Sequence, residues 1–153
     1  MTLVILSVLI GIVAGLRAMT PPAAVALGAR YGAIAVAGTP LAFMGYTWTP
    51  WIFCALAIVE LITDQLPTTP SRKVPVQFAA RVLTGALCGA TLAAPQGSLI
   101  VGLIAGIIGA VIGTLGGAAF RGRLAAAFRK DPPAALIEDV VAIGAAVLIV
   151  LAY

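Results

Sequence analysis

Residues 98–119 read SLIVGLIAGIIGAVIGTLGGAA, a run that holds no charged side chain. A transmembrane helix needs about 20 consecutive apolar residues, so this run predicts a membrane-spanning helix over about residues 98–120. Its glycines recur at intervals of three and four residues, which places them on one face of that helix. We expect this face to pack against other helices through Gly102, Gly106, Gly109, Gly113 and Gly116.

The glycine face indicates close helix packing and says nothing about a substrate. Small residues let helix backbones approach one another in a bilayer, where no hydrophobic effect drives helices together. We interpret the face as packing within one chain, with a homodimer interface and a smooth pore wall as the alternatives. A homo-oligomer, with a dimer favoured, is the expected assembly.

The composition extends the membrane assignment to the whole chain. Of its 153 residues, 62% are hydrophobic and 9% are charged, whereas a soluble domain is about 45–50% apolar and about 25% charged. The mean hydropathy is +1.16. These values exclude the water-soluble and disordered classes of protein. The net charge of +4 does not indicate nucleic acid, because the basic residues flank apolar runs, where membrane lipids are the expected partners.

Three proline-containing starts help to divide the chain into helices. Thr20-Pro21-Pro22, Thr49-Pro50 and Asp131-Pro132-Pro133 each place an N-cap residue before prolines that suit a first helical turn. The predicted fold is an all-α integral membrane protein, with residues 1–153 forming a single transmembrane domain. We expect a compact bundle of about six transmembrane or partly re-entrant helices, at about residues 2–17, 21–38, 50–66, 76–94, 98–120 and 132–152.

The basic residues predict the orientation of these helices. If residues 21–38 cross the bilayer, the basic residues that flank the helices fall on one side and both chain termini fall outside. The residues concerned are Arg17, Arg72, Lys73, Arg121, Arg123, Arg129 and Lys130. Because segment 21–38 is short and carries Arg30, a re-entrant or tilted helix is the alternative there.

Other features are assigned to the membrane boundary or the core. An aromatic cluster before the third helix suits a membrane–water interface, and it consists of Phe43, Tyr46, Trp48 and Trp51. The basic cluster at residues 121–130 is interpreted as a contact with anionic lipid, with a phosphorylated ligand as the alternative. Cys54 and Cys88 lie in apolar runs, so they are interpreted as small hydrophobic residues.

Six charged residues lie inside the predicted helices or at their ends. Glu60 and Asp64 are four residues apart and share a helix face. In the six-span topology they fall in one layer near the cytoplasmic end, together with four others: Arg17, Arg81, Glu138 and Asp139. A charge at membrane depth costs about 2.5–3.5 kcal/mol on insertion scales, so these residues are candidates for a function.

The acidic members of this group outnumber the basic ones by four to two. The excess could bind a cation, shuttle a proton or raise the protonation of one carboxyl through repulsion. We predict a small membrane transporter or channel for an ion or small polar solute, with Arg17 and Arg81 orienting the acids. The alternative is a non-transporting scaffold or lipid-binding assembly protein, whose charges serve only to pair with one another.

An enzymatic function is not expected, and acid–base catalysis by a pair of intramembrane carboxylates is the one enzymatic alternative. The chain contains no histidine for acid–base chemistry or metal ligation. It also lacks the nucleophile-elbow, zinc-peptidase and phosphate-loop motifs. We therefore assign no catalytic residues and no cofactor, and the sequence does not specify a metal.

Two short motifs resemble those of a known family. Residues 15–21, GLRAMTP, look like a G-L-R-A-x-x-P signature, and residues 60–67, ELITDQLP, are similar to an E-x-x-x-D-K-x-P segment. Both belong to domain-of-unknown-function family 4126, and the Glu138-Asp139 pair also fits. The resemblance implies a multi-helix protein of the bacterial inner membrane and no established activity. Here Gln65 stands where the family pattern often has Lys.

Overall fold

The computed structural model describes residues 2–66, 71, 73–129 and 131–153. This part of the chain is helical and contains no β-strand. The helices are α1 (Thr2–Leu16), α2 (Thr20–Arg30), α3 (Thr49–Thr63), α4 (Pro75–Ala93), α5 (Leu99–Phe128) and α6 (Asp131–Leu151), with short 3₁₀ helices at Ala42–Gly45 and Ala94–Gln96. Arg72 and Lys130, which we assigned to the basic side, lie outside the described residues.

Three of these helices are long and apolar enough to cross a membrane. They correspond to residues Pro75–Gln96, Leu99–Phe128 and Pro132–Leu151, while Thr2–Leu16 and Thr49–Thr63 are shorter apolar helices. At 30 residues, α5 is about 45 Å long, which exceeds a bilayer core of about 30 Å. We predicted this helix over about residues 98–120, with a continuation to Phe128 as the alternative, and the structure shows the longer form, which ends at Phe128.

The centre of the fold is a close contact of α5 with α4. A Cβ placed on Gly106 would collide with the carbonyl oxygen of Gly85, and one on Gly102 would collide with that of Gly89. Ser7 of α1 donates a hydrogen bond to the Gly89 carbonyl oxygen (3.2 Å). Glycine at these positions thus lets two helix backbones touch.

The same face of α5 also contacts α1. A Cβ on Gly109 would meet the carbonyl oxygen of Val8, and one on Gly113 would meet that of Ile12. Packing within the chain thus accounts for four of the five glycines that we singled out. The exception is Gly116, which is exposed and where a Cβ would meet nothing within 4 Å.

Gly106→Ala is expected to destabilise the fold by about 1–3 kcal/mol, because the added methyl group must displace the backbone of α4. The matched control is Gly116→Ala, which adds the same atom to open space. Thermal unfolding in detergent measures both. Equal unfolding temperatures for the two variants would contradict the packing described for α5.

The second helix is much shorter than we expected. It ends at Arg30 and not at residue 38, because Tyr31 caps it and Gly32 follows with φ of +86°, which leaves the helical conformation. Residues 31–48 then fold back onto the bundle, and Ile34, Val36 and Met44 join the buried core.

Two expected N-caps are wrong by one residue. The structure places Met19 and Trp48 at the caps, and Thr20 and Thr49 are the first residues of α2 and α3. The hydroxyl of Thr49 instead donates to the carbonyl oxygen of Phe43 (2.6 Å). Neither Met19 nor Trp48 makes a capping hydrogen bond with its side chain.

Candidate functional site

The break between α1 and α2 leaves helix-end backbone groups that need partners. The last carbonyl groups of a helix and its first amide groups have no partners inside that helix. At the end of α1, Arg81 of α4 donates hydrogen bonds to the carbonyl oxygens of Gly15 (3.2 Å) and Leu16 (2.7 Å). A cation is favourable at this negative end of the helix dipole.

Glu60 of α3 provides the opposite partner at the start of α2. Its two carboxylate oxygens accept hydrogen bonds from the backbone amides of Ala18 and Met19, each at 2.8 Å. The carboxylate lies at the positive end of the α2 dipole, where an anion is stabilised. Arg81 Nη2 also lies 3.9 Å from Glu60 Oε1, so the two caps are paired with one another.

Arg17 occupies the break itself and is completely buried, with an exposed fraction of 0%. Its guanidinium forms ion pairs with Asp64, at the end of α3, and with Asp139, in α6. Gln65 donates a hydrogen bond from Nε2 to Asp139 Oδ2 (3.1 Å). One arginine therefore ties the α1–α2 break to two other helices.

Arg121 completes the group, and sequence reasoning missed this role. Its Nη1 lies 3.6 Å from a carboxylate oxygen of Glu138, which is only 2% exposed. Its Nη2 also donates to the backbone carbonyl oxygen of Asp64 (3.5 Å). We had placed Arg121 in the basic cluster at residues 121–130, because the packing of α5 against α6 cannot be inferred from a local sequence pattern.

The structure therefore brings together all six charged residues that the sequence singled out, and it adds Arg121. We call the seven residues the charge network: Arg17, Glu60, Asp64, Arg81, Arg121, Glu138 and Asp139. Counted over the described residues alone, four carboxylates face three guanidinium groups, so these seven residues carry one net negative charge when every member is ionised. Within this part of the chain, the acidic excess of two that the sequence indicated falls to one.

Some buried polar atoms in this region have no hydrogen-bond partner among the described residues. They include Oγ1 of Thr20, the first residue of α2, and Nε of Arg17. Thr20 is 7% exposed. Buried polar groups are nearly always paired with protein or ordered water, so a polar molecule is expected to complete this arrangement.

An open groove of about 480 Å³ reaches the charge network between α3 and α4. We call it the α3–α4 groove. Its lining includes the turn between α1 and α2, the exposed apolar side of α3 and the first turns of α4. The residues that matter below are Met19, Leu56, Val59, Glu60, Asp64 and Gln77.

The remaining predicted features lie elsewhere. Within the described residues, no group of three or more Cys, Asp and Glu side chains is arranged to hold a metal ion. Cys54 and Cys88 are both free thiols, and Cys88 is buried in the core. The aromatic cluster is exposed at Phe43, Tyr46, Trp48 and Trp51.

Comparison with known proteins gives one match. A family model described as a domain of unknown function, DUF4126, matches residues 4–152. No curated protein and no solved structure matches the chain.

Proposed function

The chain belongs to the DUF4126 family, and because that family is one of unknown function, we propose a function from the residues themselves. The protein is a small membrane transporter or channel for an ion or small polar solute, and the charge of its site favours a cation. The carboxylates of Glu60 and Asp64 bind the solute where the α3–α4 groove meets the charge network. Arg17 and Arg81 hold these carboxylates in place.

A membrane location is part of this proposal. The three long apolar helices support it, as do the large aliphatic side chains exposed along α5, such as Ile100, Ile104, Ile108 and Ile112. Such a surface is stable against lipid and unfavourable in water. We place the protein in the bacterial inner membrane, with the charge network toward the cytoplasm and both termini outside.

The second segment is better described as a half-helix followed by an irregular segment than as one continuous transmembrane helix. With 11 residues, α2 is about 16 Å long, which is too short for a bilayer core of about 30 Å. In many transporters, broken helices present their dipole ends to a substrate near the middle of the membrane. Here the α1–α2 break presents both kinds of helix end beside the groove.

The observation that carries the proposal is the unbalanced negative charge of the network at an open groove. The side chains of Glu60 and Asp64 are 12% and 14% exposed, so they reach the groove although each has a protein partner. One proton or one monovalent cation would neutralise the network. A charge imbalance at membrane depth is costly, and it is more consistent with a bound solute than with pairing alone.

Flux into proteoliposomes tests the proposal. We expect the wild-type protein to conduct protons, followed with an internal pH dye, or rubidium ions. Combining Glu60→Gln with Asp64→Asn should reduce the flux at least about tenfold, because two of the four carboxylates lose their charge and a tenfold loss corresponds to about 1.4 kcal/mol. Asp131→Asn is the matched control, since Asp131 is the one acid that we did not assign to the cluster.

A flux that persists in the folded double variant would overturn the assignment. Folding is checked by gel filtration and thermal unfolding in detergent, so that a collapsed protein is not mistaken for an inactive one. Loss of flux in Asp131→Asn as well would show that the effect is not specific to the network.

The scaffold alternative is favoured by one observation, which is that the charges cap helix ends. Arg81 and Glu60 satisfy backbone groups that would otherwise be buried without partners. If this is their whole role, neutral substitutions should lower the yield of folded protein while no solute moves at any stage. A homodimer remains the expected assembly in either case.

A further inference from the structure

We infer that the α3–α4 groove binds an amphipathic primary amine, with the ammonium group at Glu60 and Asp64 and the hydrocarbon chain along Leu56 and Val59. This inference rests on the proposed function, because it assigns a substrate class to the same site. It differs from transport of a hydrated ion in predicting recognition of an apolar chain.

The lining of the groove changes from apolar to acidic along one face of α3. Leu56 and Glu60 are four residues apart, as are Glu60 and Asp64, so the three follow one another along the helix. Val59 lies beside this row and is 55% exposed. A molecule lying along α3 would thus meet hydrocarbon first and two carboxylates at its end.

The size of the groove exceeds what a small ion needs. Its volume of about 480 Å³ falls within the range of about 300–1,000 Å³ that is typical of sites for organic ligands. Because the groove is open at α3, a ligand could enter it from the hydrocarbon layer.

The chemistry at the acidic end favours a primary ammonium group. One positive charge balances the single negative charge that the described residues of the network carry. A primary ammonium group also has three N–H donors, which suit the carboxylate oxygens of Glu60 and Asp64 in the lining of the groove. A quaternary ammonium group carries the same charge but has no N–H to donate.

Calorimetric titration of the nanodisc-embedded full chain tests the inference. Dodecylamine is the probe, and dodecyltrimethylammonium and ammonium chloride are the comparisons. We expect saturable binding of dodecylamine, and binding at least about tenfold weaker for each comparison, since dodecyltrimethylammonium lacks the N–H donors and ammonium lacks the hydrocarbon chain.

A pair of variants locates the binding. Val59→Trp fills the apolar wall of the groove and should abolish dodecylamine binding. Ile58→Trp is the matched control, because Ile58 is 58% exposed on the same helix and does not line the groove. Both variants keep all of the charges, so their folding should match that of the wild type by thermal unfolding.

The outcomes separate this inference from transport itself. Equal binding to the Val59 and Ile58 variants, or equal affinity for the primary and quaternary amines, overturns the inference. Cation flux without dodecylamine binding overturns it too and leaves the proposed function standing. Saturable dodecylamine binding that the Val59 variant loses supports the inference, even where proteoliposomes show no flux.

Discussion

Arg17→Gln is expected to prevent stable folding. Arg17 is completely buried and pairs with Asp64 and Asp139, so its loss leaves two carboxylates without their cation. Removing one partner of a buried ion pair costs about 3–5 kcal/mol, against a total stability of about 5–15 kcal/mol for a folded protein. We expect little monodisperse protein after gel filtration and a large fall in unfolding temperature.

The matched control for this effect is Arg123→Gln, which removes an exposed arginine and should change the unfolding temperature little. A rescue variant separates lost charge pairing from lost packing. Adding Asp64→Asn and Asp139→Asn to Arg17→Gln removes the uncompensated charges and should recover part of the stability, because neutral groups often replace a buried ion pair without penalty. Equal unfolding temperatures for Arg17→Gln and Arg123→Gln would contradict the central position of Arg17.

Local patterns predicted the long helices well. Continuous apolar runs bounded by proline and glycine led to α4, α5 and α6, because these helices are determined by hydropathy and by breaks in it. The glycine spacing in α5 also predicted its packing face, since residues three and four apart share a side of any helix. Only Gly116 departs from that face, since it is exposed and a Cβ there would meet nothing within 4 Å.

Tertiary contacts explain what the sequence did not reveal. Residues 31–38 were predicted to be helical, yet Ile34 and Val36 are buried in an irregular segment and belong to the same core cluster as residues of α2 and α6. No periodic pattern marks such a segment. Likewise, Gln65 lies in a turn and Arg121 lies in the C-terminal part of α5. Each reaches an acidic member of the charge network only because of the way the helices pack.

The predicted direction of each helix was enough to indicate that the six charged residues lie close together. It was not enough to show how they pair. Glu60 and Arg81 cap backbone amide and carbonyl groups at the α1–α2 break. Because every sequence has such backbone groups, the residue pattern does not show which of them a side chain caps. Composition and spacing therefore indicated where to look, and the hydrogen bonds determined what each residue does there.

Gln65→Lys is expected to abolish transport while preserving the fold. Gln65 already donates to Asp139, and a lysine there would place a fourth cation in the charge network, which would then be neutral. Lysine is the residue that the family pattern often has at this position, so we expect the fold to accept it. The unfolding temperature should stay the same or rise, because the added ion pair is partly buried.

The decisive comparison is cation flux through wild-type and Gln65→Lys proteins in the same proteoliposome preparation. The account predicts that proton or rubidium flux falls at least about tenfold in Gln65→Lys, although the variant unfolds at or above the wild-type temperature. Gln77→Lys, on the α4 side of the groove, tests whether the position of the added charge matters, and it should reduce the flux less. Undiminished flux in a stable Gln65→Lys protein would contradict the claim that the unbalanced negative charge of the network drives binding.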